Sequence, residues 1–362
     1  MSKPRAAIFG CAGPMLAPDE RAFFRTEDPL GFILFQRNCV EPEQLRRLVV
    51  DLRDSIGRSD APVLIDQEGG RVARLRPPHW RIYPAAARIA ALGAEAPEAA
   101  RAVARLIADD LDCVGVTVDC LPVLDLPVPG ADAVIGDRAY GTEPVRVAAI
   151  ARAACEGLLA GGVLPVLKHI PGHGRGNVDS HLACPLVTAP IQELKLTDFA
   201  PFRMLNGMPW AMTAHIVYDA IDPAHPATLS SAVIADVIRA EIGFDGLLVS
   251  DDLSMQALGG SLGERAAGAL AAGCDVVLHC NGRLDEMRDV AGSVGPLSDA
   301  ASRRVADGEA RRRWHVEPIE RPRSRRASTP GLRRHDRGSG KNTICNPALR
   351  RPSISPRPGC CR

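Results

Sequence analysis

The chain has 362 residues, 46% of them hydrophobic and 24% charged, with a formal net charge of +1; that length suits one large α/β barrel or two ordinary domains and rules out a small stapled scaffold. No stretch reaches the roughly 18 apolar residues of a membrane span. The start, Met1 to Arg5 followed by a short apolar run broken by Gly10, Gly13 and Pro14, lacks the apolar core and cleavage site of an export signal, which predicts a cytoplasmic protein. Eleven cysteines, an odd number with no Cys-x-x-Cys spacing, predict reduced thiols rather than a disulfide framework or a zinc site. Residues 1–300 carry 27 Lys+Arg against 38 Asp+Glu, whereas residues 301–362 carry 17 against 5. An acidic body argues against nucleic-acid binding, and the basic end has no helical or strand period, so it is expected to be disordered.

Eight short runs rich in Val, Ile and Leu alternate with longer amphipathic segments, the pattern of βαβ units around a parallel sheet. The runs are 6–10, 30–36, 62–67, 115–121, 163–169, 210–216, 246–251 and 275–280, and the clearest helical segments are 42–55, 97–110, 143–159, 230–242 and 262–272. Eight repeats in a row, with no Gly-x-Gly-x-x-Gly, predict a closed (β/α)8 TIM barrel rather than an open doubly wound sheet. The expected organisation is one barrel domain over residues 1–319 and an Arg/Pro/Ser-rich tail over 320–362.

In such a barrel the chemistry sits at the C-terminal ends of the strands. Polar residues do collect there: Asp66-Gln67-Glu68, Asp119 and Asp125, Lys168-His169, His215, Asp251-Asp252 and His279. Strand ends meet solvent in any case, so polarity alone is weak, but acids, bases and cations converging on one mouth point to a site. The densest segment runs from Lys168 to His181 and holds Gly172, Gly174 and Gly176, which predict a mobile loop with glycine hinges. Within it, His173, Asp179 and His181 have no recognised metal-ligand spacing. Acid-base work is the alternative, Asp179 orienting the imidazole of His181 two residues on. Trp80, Trp210 and Trp314 are candidate sugar-stacking platforms, with Trp210 better suited to the core.

The segment Lys-His-Ile-Pro-Gly-His-Gly, four residues, then Asp-Ser-His (168–181) resembles the signature of family-3 glycoside hydrolases, in particular the bacterial β-N-acetylglucosaminidases of peptidoglycan recycling. Leu64 to Arg74, Gly136 to Gly141 and Val249 to Met255 agree with it, in order, over about residues 6–315. The resemblance implies a retaining exo-enzyme that releases terminal β-1,4-linked N-acetylglucosamine from N-acetylglucosaminyl-1,6-anhydro-N-acetylmuramoyl peptides, with neither cofactor nor metal. It implies Asp251 as nucleophile, His181 as general acid/base backed by Asp179, and Asp66, Arg74, Arg138, Lys168 and His169 as sugar-binding groups, with His215 expected to line the site. The competing role for Asp251 is a helix N-cap, which Asp252 suits better. The expected partner is a muropeptide or another N-acetylglucosamine saccharide, with no nucleic acid or membrane, and the chain is expected to act as a monomer. Alternatives from the same residues are a phosphorylase or another family-3 β-glycosidase; a metal-dependent barrel hydrolase is the alternative of a different class.

Overall fold

The computed structural model describes residues 3–180, 183–314 and 317. Eight parallel strands close a barrel: β1 (Arg5–Gly10), β2 (Pro29–Leu34), β3 (Val63–Ile65), β4 (Val118–Asp119), β5 (Leu164–Ile170), β6 (Trp210–Thr213), β7 (Leu247–Asp252) and β8 (Val276–His279), each paired with its sequence neighbours and β8 returning to β1. All eight fall within, or overlap, the eight apolar runs. β3 and β4 are shorter than their runs: Pro62 and Pro122 flank them without an amide hydrogen to give to a ladder, and Gly115 turns the chain before β4 at φ +81.

Helices follow every strand: α1 (Pro18–Glu27), α2 (Pro42–Ile56), α3 (Ala96–Asp112), α4 (Pro144–Ala160), α5 (Ala200–Met204), α6 (Val233–Glu241), α7 (Leu262–Ala272) and α8 (Leu284–Ser293), with α9 (Asp299–Trp314) last and the short helices Ala86–Ala90 and Ile191–Leu196 preceding α3 and α5. Local chemistry sets their ends. Proline occupies the first position of α1, α2 and α4, where no intrahelical N–H is needed. Glu143 caps α4 through the Val145 and Arg146 amides, and the Ser261 hydroxyl and Glu264 carboxylate cap α7 reciprocally. Between strands and helices runs one continuous apolar core. Among the described residues no helix is long and apolar enough to cross a membrane.

Seven described cysteines, from Cys11 to Cys280, are free thiols. Trp210 is 1% exposed at the start of β6, in the core, and half-buried Trp80 packs on the core without lining the cleft described below. The side chain of Trp314 and the 320–362 tail lie outside the described residues.

Helices α3 and α4 approach so closely that a Cβ on Gly157 would sit 2.3 Å from the Arg101 carbonyl oxygen. Helix propensity alone favours Gly157→Ala by up to about 1 kcal/mol, while forcing the helices apart costs about 1–3 kcal/mol. The expected outcome is a lower melting temperature for Gly157→Ala, read by circular dichroism; a rise would show that the contact is not binding the helices.

Candidate active site

At the C-terminal mouth lies a cleft of about 250 Å3. Its lining divides by strand parity, as expected when alternate strands contribute alternate layers. Ile33, Met212 and Leu278 come from β2, β6 and β8 and are apolar; Lys168 and Asp251 come from β5 and β7, and Asp66 directly follows β3. His169, His173, Arg74, Arg138, Asp179 and Ser180 also line it.

The segment after β3 explains its own motif. Gln67–Gly69 and Val72–Ala73 form a small antiparallel hairpin, turned by Gly69 and Gly70 at φ +92 and +57, backbone angles that side-chain-bearing residues avoid. The Gln67 side-chain oxygen takes the Arg74 and Leu75 amides, so the chain doubles back and Arg74 Nη2 reaches Asp66 Oδ2 at 3.0 Å. Lys168 Nζ, 2% exposed at the side chain, lies 2.9 Å from Asp66 Oδ1 and 2.7 Å from Glu68 Oε1. Arg138, from the turn Gly136–Arg138, grips Glu68 with two bonds of 2.9 and 2.8 Å. Asp66, Glu68, Lys168, Arg74 and Arg138 thus form one buried ionic chain. Burial alone would raise both carboxyls, but Lys168 with Arg74 holds Asp66 well below the usual carboxylate range, and Lys168 with Arg138 holds Glu68 at about 2.

A second cluster orients the histidines. Asp125, fully buried, accepts from the His169 Nδ1 side at 2.7 Å and from the His169 and His173 backbone amides at 3.0 and 2.6 Å. That fixes the His169 ring and leaves its Nε2 edge to face elsewhere. His173 is 3% exposed, and its Nε2 meets Ser180 Oγ at 3.1 Å. Burial, and then His169, push the His173 imidazole down to about 4.

Asp251 and Asp252 are adjacent and differently occupied. Asp252 Oδ1 accepts the Ser254 and Cys280 amides and Oδ2 the Ser254 hydroxyl, so this side chain caps the turn after β7. No helix follows it there. Asp251 accepts the Asp252 amide at 2.8 Å and its side chain borders the cleft. Burial would raise the Asp251 carboxyl; His169, His215, the Asp252 N–H and Lys168 together hold it below the ordinary value.

Of the sequence-derived site residues, Asp66, Arg74, Arg138, Lys168, His169, Asp179 and Asp251 all border the cleft. His215 does not: it is fully buried, its ring bonded to Thr228 Oγ1 at 2.7 Å and the Asp252 carbonyl at 3.0 Å, so it holds the Asp252 backbone. His181 lies outside the described residues. His279, another polar strand end, points away to Glu286. A Cβ on Gly174 would lie 2.0 Å from the Leu126 oxygen, and one on Gly176 would press on the His173 ring at 3.2 Å. In this conformation both glycines permit close packing, and Arg175 ties the same stretch to Glu193 and Asp198. Glu68 and Asp125 were visible as strand-end acids but not as partners of Lys168, Arg138 and His169. The Gly69-Gly70 turn was the one local signal that the chain folds back there. Among the described residues no group of three or more His, Cys, Asp or Glu is arranged to hold a metal ion.

Asp119, also fully buried, accepts the Gln67 amide through Oδ1 while Oδ2 has no partner among the described residues. Burial, with Asp66 and Glu68 nearby, raises its carboxyl to about 8. The folded protein therefore keeps this proton up to about pH 8 and the unfolded chain releases it near pH 4, so stability from this group is present at acid pH and is lost as pH rises through that window, on the order of 5 kcal/mol in all. Urea unfolding at pH 5 and pH 8 should show Asp119→Asn gaining on the parent as pH rises; parallel pH dependence would mean that Asp119 is ionised in the fold.

The sequence pattern of the glycosyl hydrolase family 3 N terminal domain matches residues 20–311. A β-hexosaminidase of Alkalilimnicola ehrlichii is 42% identical over 282 residues, 76% of this chain and 80% of that protein. One of Pseudomonas aeruginosa is 39% identical over 274 residues, 75% and 81% of the two chains. Among solved structures, NagZ from Neisseria gonorrhoeae in complex with N-trifluoroacetyl-D-glucosamine superposes with a TM-score of 0.78 at 33% identity, covering 85% of this chain and 90% of that one. The family 3 β-N-acetylglucosaminidase from Paenibacillus sp. str. FPU-7 also gives 0.78, at 32% identity; the match covers 88% of this chain and spans 64% of that longer enzyme. With a family match over most of its length and a barrel mouth lined by the acids and cations that a glycosidase needs, the chain belongs to glycoside hydrolase family 3 and is a β-N-acetylhexosaminidase.

Proposed function

We propose that the protein is a retaining exo-enzyme that removes terminal β-1,4-linked N-acetylglucosamine from cell-wall fragments, N-acetylglucosaminyl-1,6-anhydro-N-acetylmuramoyl peptides in particular, during peptidoglycan recycling in the cytoplasm. The observation that carries the reading is the division of labour between neighbouring carboxylates, Asp252 spent on the turn and Asp251 ionised at the cleft wall. A cleft of about 250 Å3 is below the usual ~300–1,000 Å3 of ligand pockets, which favours one sugar ring over an internal stretch of polymer. The solved relative that carries an N-acylated glucosamine supports the identity of that ring.

In this reading the sugar hydroxyls bond to Asp66, whose oxygens each retain a lone pair beyond those used by Lys168 and Arg74, and to the cationic groups around it. An Asp251 oxygen attacks the anomeric carbon. The glycosidic C–O bond breaks, and its oxygen leaves with a proton from His181, oriented by Asp179. Water then attacks the same carbon, gives its proton back to His181 and displaces the Asp251 carboxylate, so the configuration is retained. Lys168, Arg74 and Arg138 keep Asp66 and Glu68 ionised and in place through both steps.

Asp251→Asn should lower kcat on a chromogenic β-N-acetylglucosaminide by roughly three orders of magnitude or more without loss of fold; an active variant would remove Asp251 as nucleophile. Glu68→Gln unties Lys168 and Arg138 without touching the reacting atoms, and is expected to raise KM about tenfold or more with a smaller change in kcat, measured by steady-state kinetics. In phosphate buffer the released product should be free sugar; sugar 1-phosphate would instead identify a phosphorylase.

A further inference from the structure

We infer that Ser180 is a positioning residue for proton transfer, its hydroxyl latched to the His173 ring and its carbonyl to the Ala257 amide, so that the segment carrying Asp179 is fixed relative to Asp251. This rests on the retaining mechanism proposed above. The latch is built from buried groups. Ser180 and His173 are each 3% exposed, and the ring nitrogen Nε2 lies 3.1 Å from Ser180 Oγ. Nδ1 has no partner among the described residues, so the Ser180 bond is the ring's one polar link there.

His173 is itself held from two sides. Its backbone N–H donates to Asp125 Oδ1 at 2.6 Å, the same carboxylate that fixes His169 at the end of β5. Gly176 packs against the ring so tightly that an added Cβ would lie 3.2 Å from Cε1. On the other flank, the Ala257 N–H donates to the Ser180 carbonyl at 3.2 Å, and that turn starts from Asp252, whose carbonyl accepts the Met255 amide at 3.1 Å. The path from Asp125 through His173 and Ser180 to the turn after β7 is thus continuous, and His173, Ser180 and Met255 along it border the same cleft as Asp179 and Asp251. Ser180 directly follows Asp179, so whatever fixes its backbone fixes where Asp179 meets the cleft. A proton donor must lie within hydrogen-bond reach of the glycosidic oxygen, and a misplacement of about 1 Å costs on the order of a hundredfold in rate.

The readout that separates positioning from stability is dependence on the leaving group, since a strongly acidic phenol departs without a proton and a sugar or alkyl alcohol needs one. We would measure kcat/KM of the full chain on a series of aryl and alkyl β-N-acetylglucosaminides for Ser180→Ala, Ser180→Thr, His173→Asn and the double variant Ser180→Ala/His173→Asn. Ser180→Ala and His173→Asn are each expected to lose about tenfold or more on poor leaving groups and little on a dinitrophenyl glycoside. The double variant should be no worse than either single one, because both remove one interaction, and Ser180→Thr, which keeps the hydroxyl, should recover most of the loss. Equal losses across the series, or none, would overturn the latch. His181→Gln run in parallel distinguishes the two levels: a leaving-group-dependent loss there but not in Ser180→Ala overturns the latch alone, and its absence in His181→Gln overturns the acid/base reading and the latch with it.

Discussion

A buried ammonium organises the mouth of this barrel. Lys168 sits on β5 with almost no exposure, and a lone charge in that position would shed its proton or unfold the strand end. Asp66 and Glu68, both within 3 Å, keep it charged, and those carboxylates in turn need Arg74 and Arg138. The chain of pairs has one more cation than anion, so the site is complementary to the carboxylate of Asp251 opposite. Burial first, and then the anions Asp66 and Glu68, push the Asp119 carboxyl up: a third anion there would compete for the same lysine.

Closure of the barrel turns this local chemistry into geometry. Parallel pairing around eight strands brings residues from 33 to 278 to one rim, and strand parity separates apolar floor from polar wall. Loops then refine the wall. The Gly69-Gly70 hairpin returns Arg74 to Asp66, and the turn after β7 occupies the Asp252 carboxylate while that of Asp251 borders the cleft. His215 serves by bonding the Asp252 carbonyl, a supporting role that leaves the cleft to others.

Much of this was legible in the residues. The eight apolar runs map one to one onto the barrel strands because each strand is buried on both faces and must be continuously apolar. Asp66, Arg74, Arg138, Lys168, His169, Asp179 and Asp251 fall where strand ends and their loops put them. What escaped was direction and partnership. Nothing in the one-dimensional pattern says that His215 bonds Thr228 and the Asp252 carbonyl, that His279 bonds Glu286, or that Glu68 closes onto two cations 70 and 100 positions away. Gly174 and Gly176 show a related limit of the pattern: glycine signals freedom or close approach, and the close approach to the Leu126 backbone and the His173 ring becomes visible only in the fold.

The central claim, that a sugar is carried on Asp251 during turnover, is tested most directly by trapping. A slowly hydrolysed fluorinated N-acetylglucosaminide with an activated leaving group should add one sugar to the intact protein by mass spectrometry, and peptide mapping should find it on the segment containing Asp251. A sugar attached to another residue, or full turnover with no labelled protein under conditions that slow the second step, would contradict the mechanism.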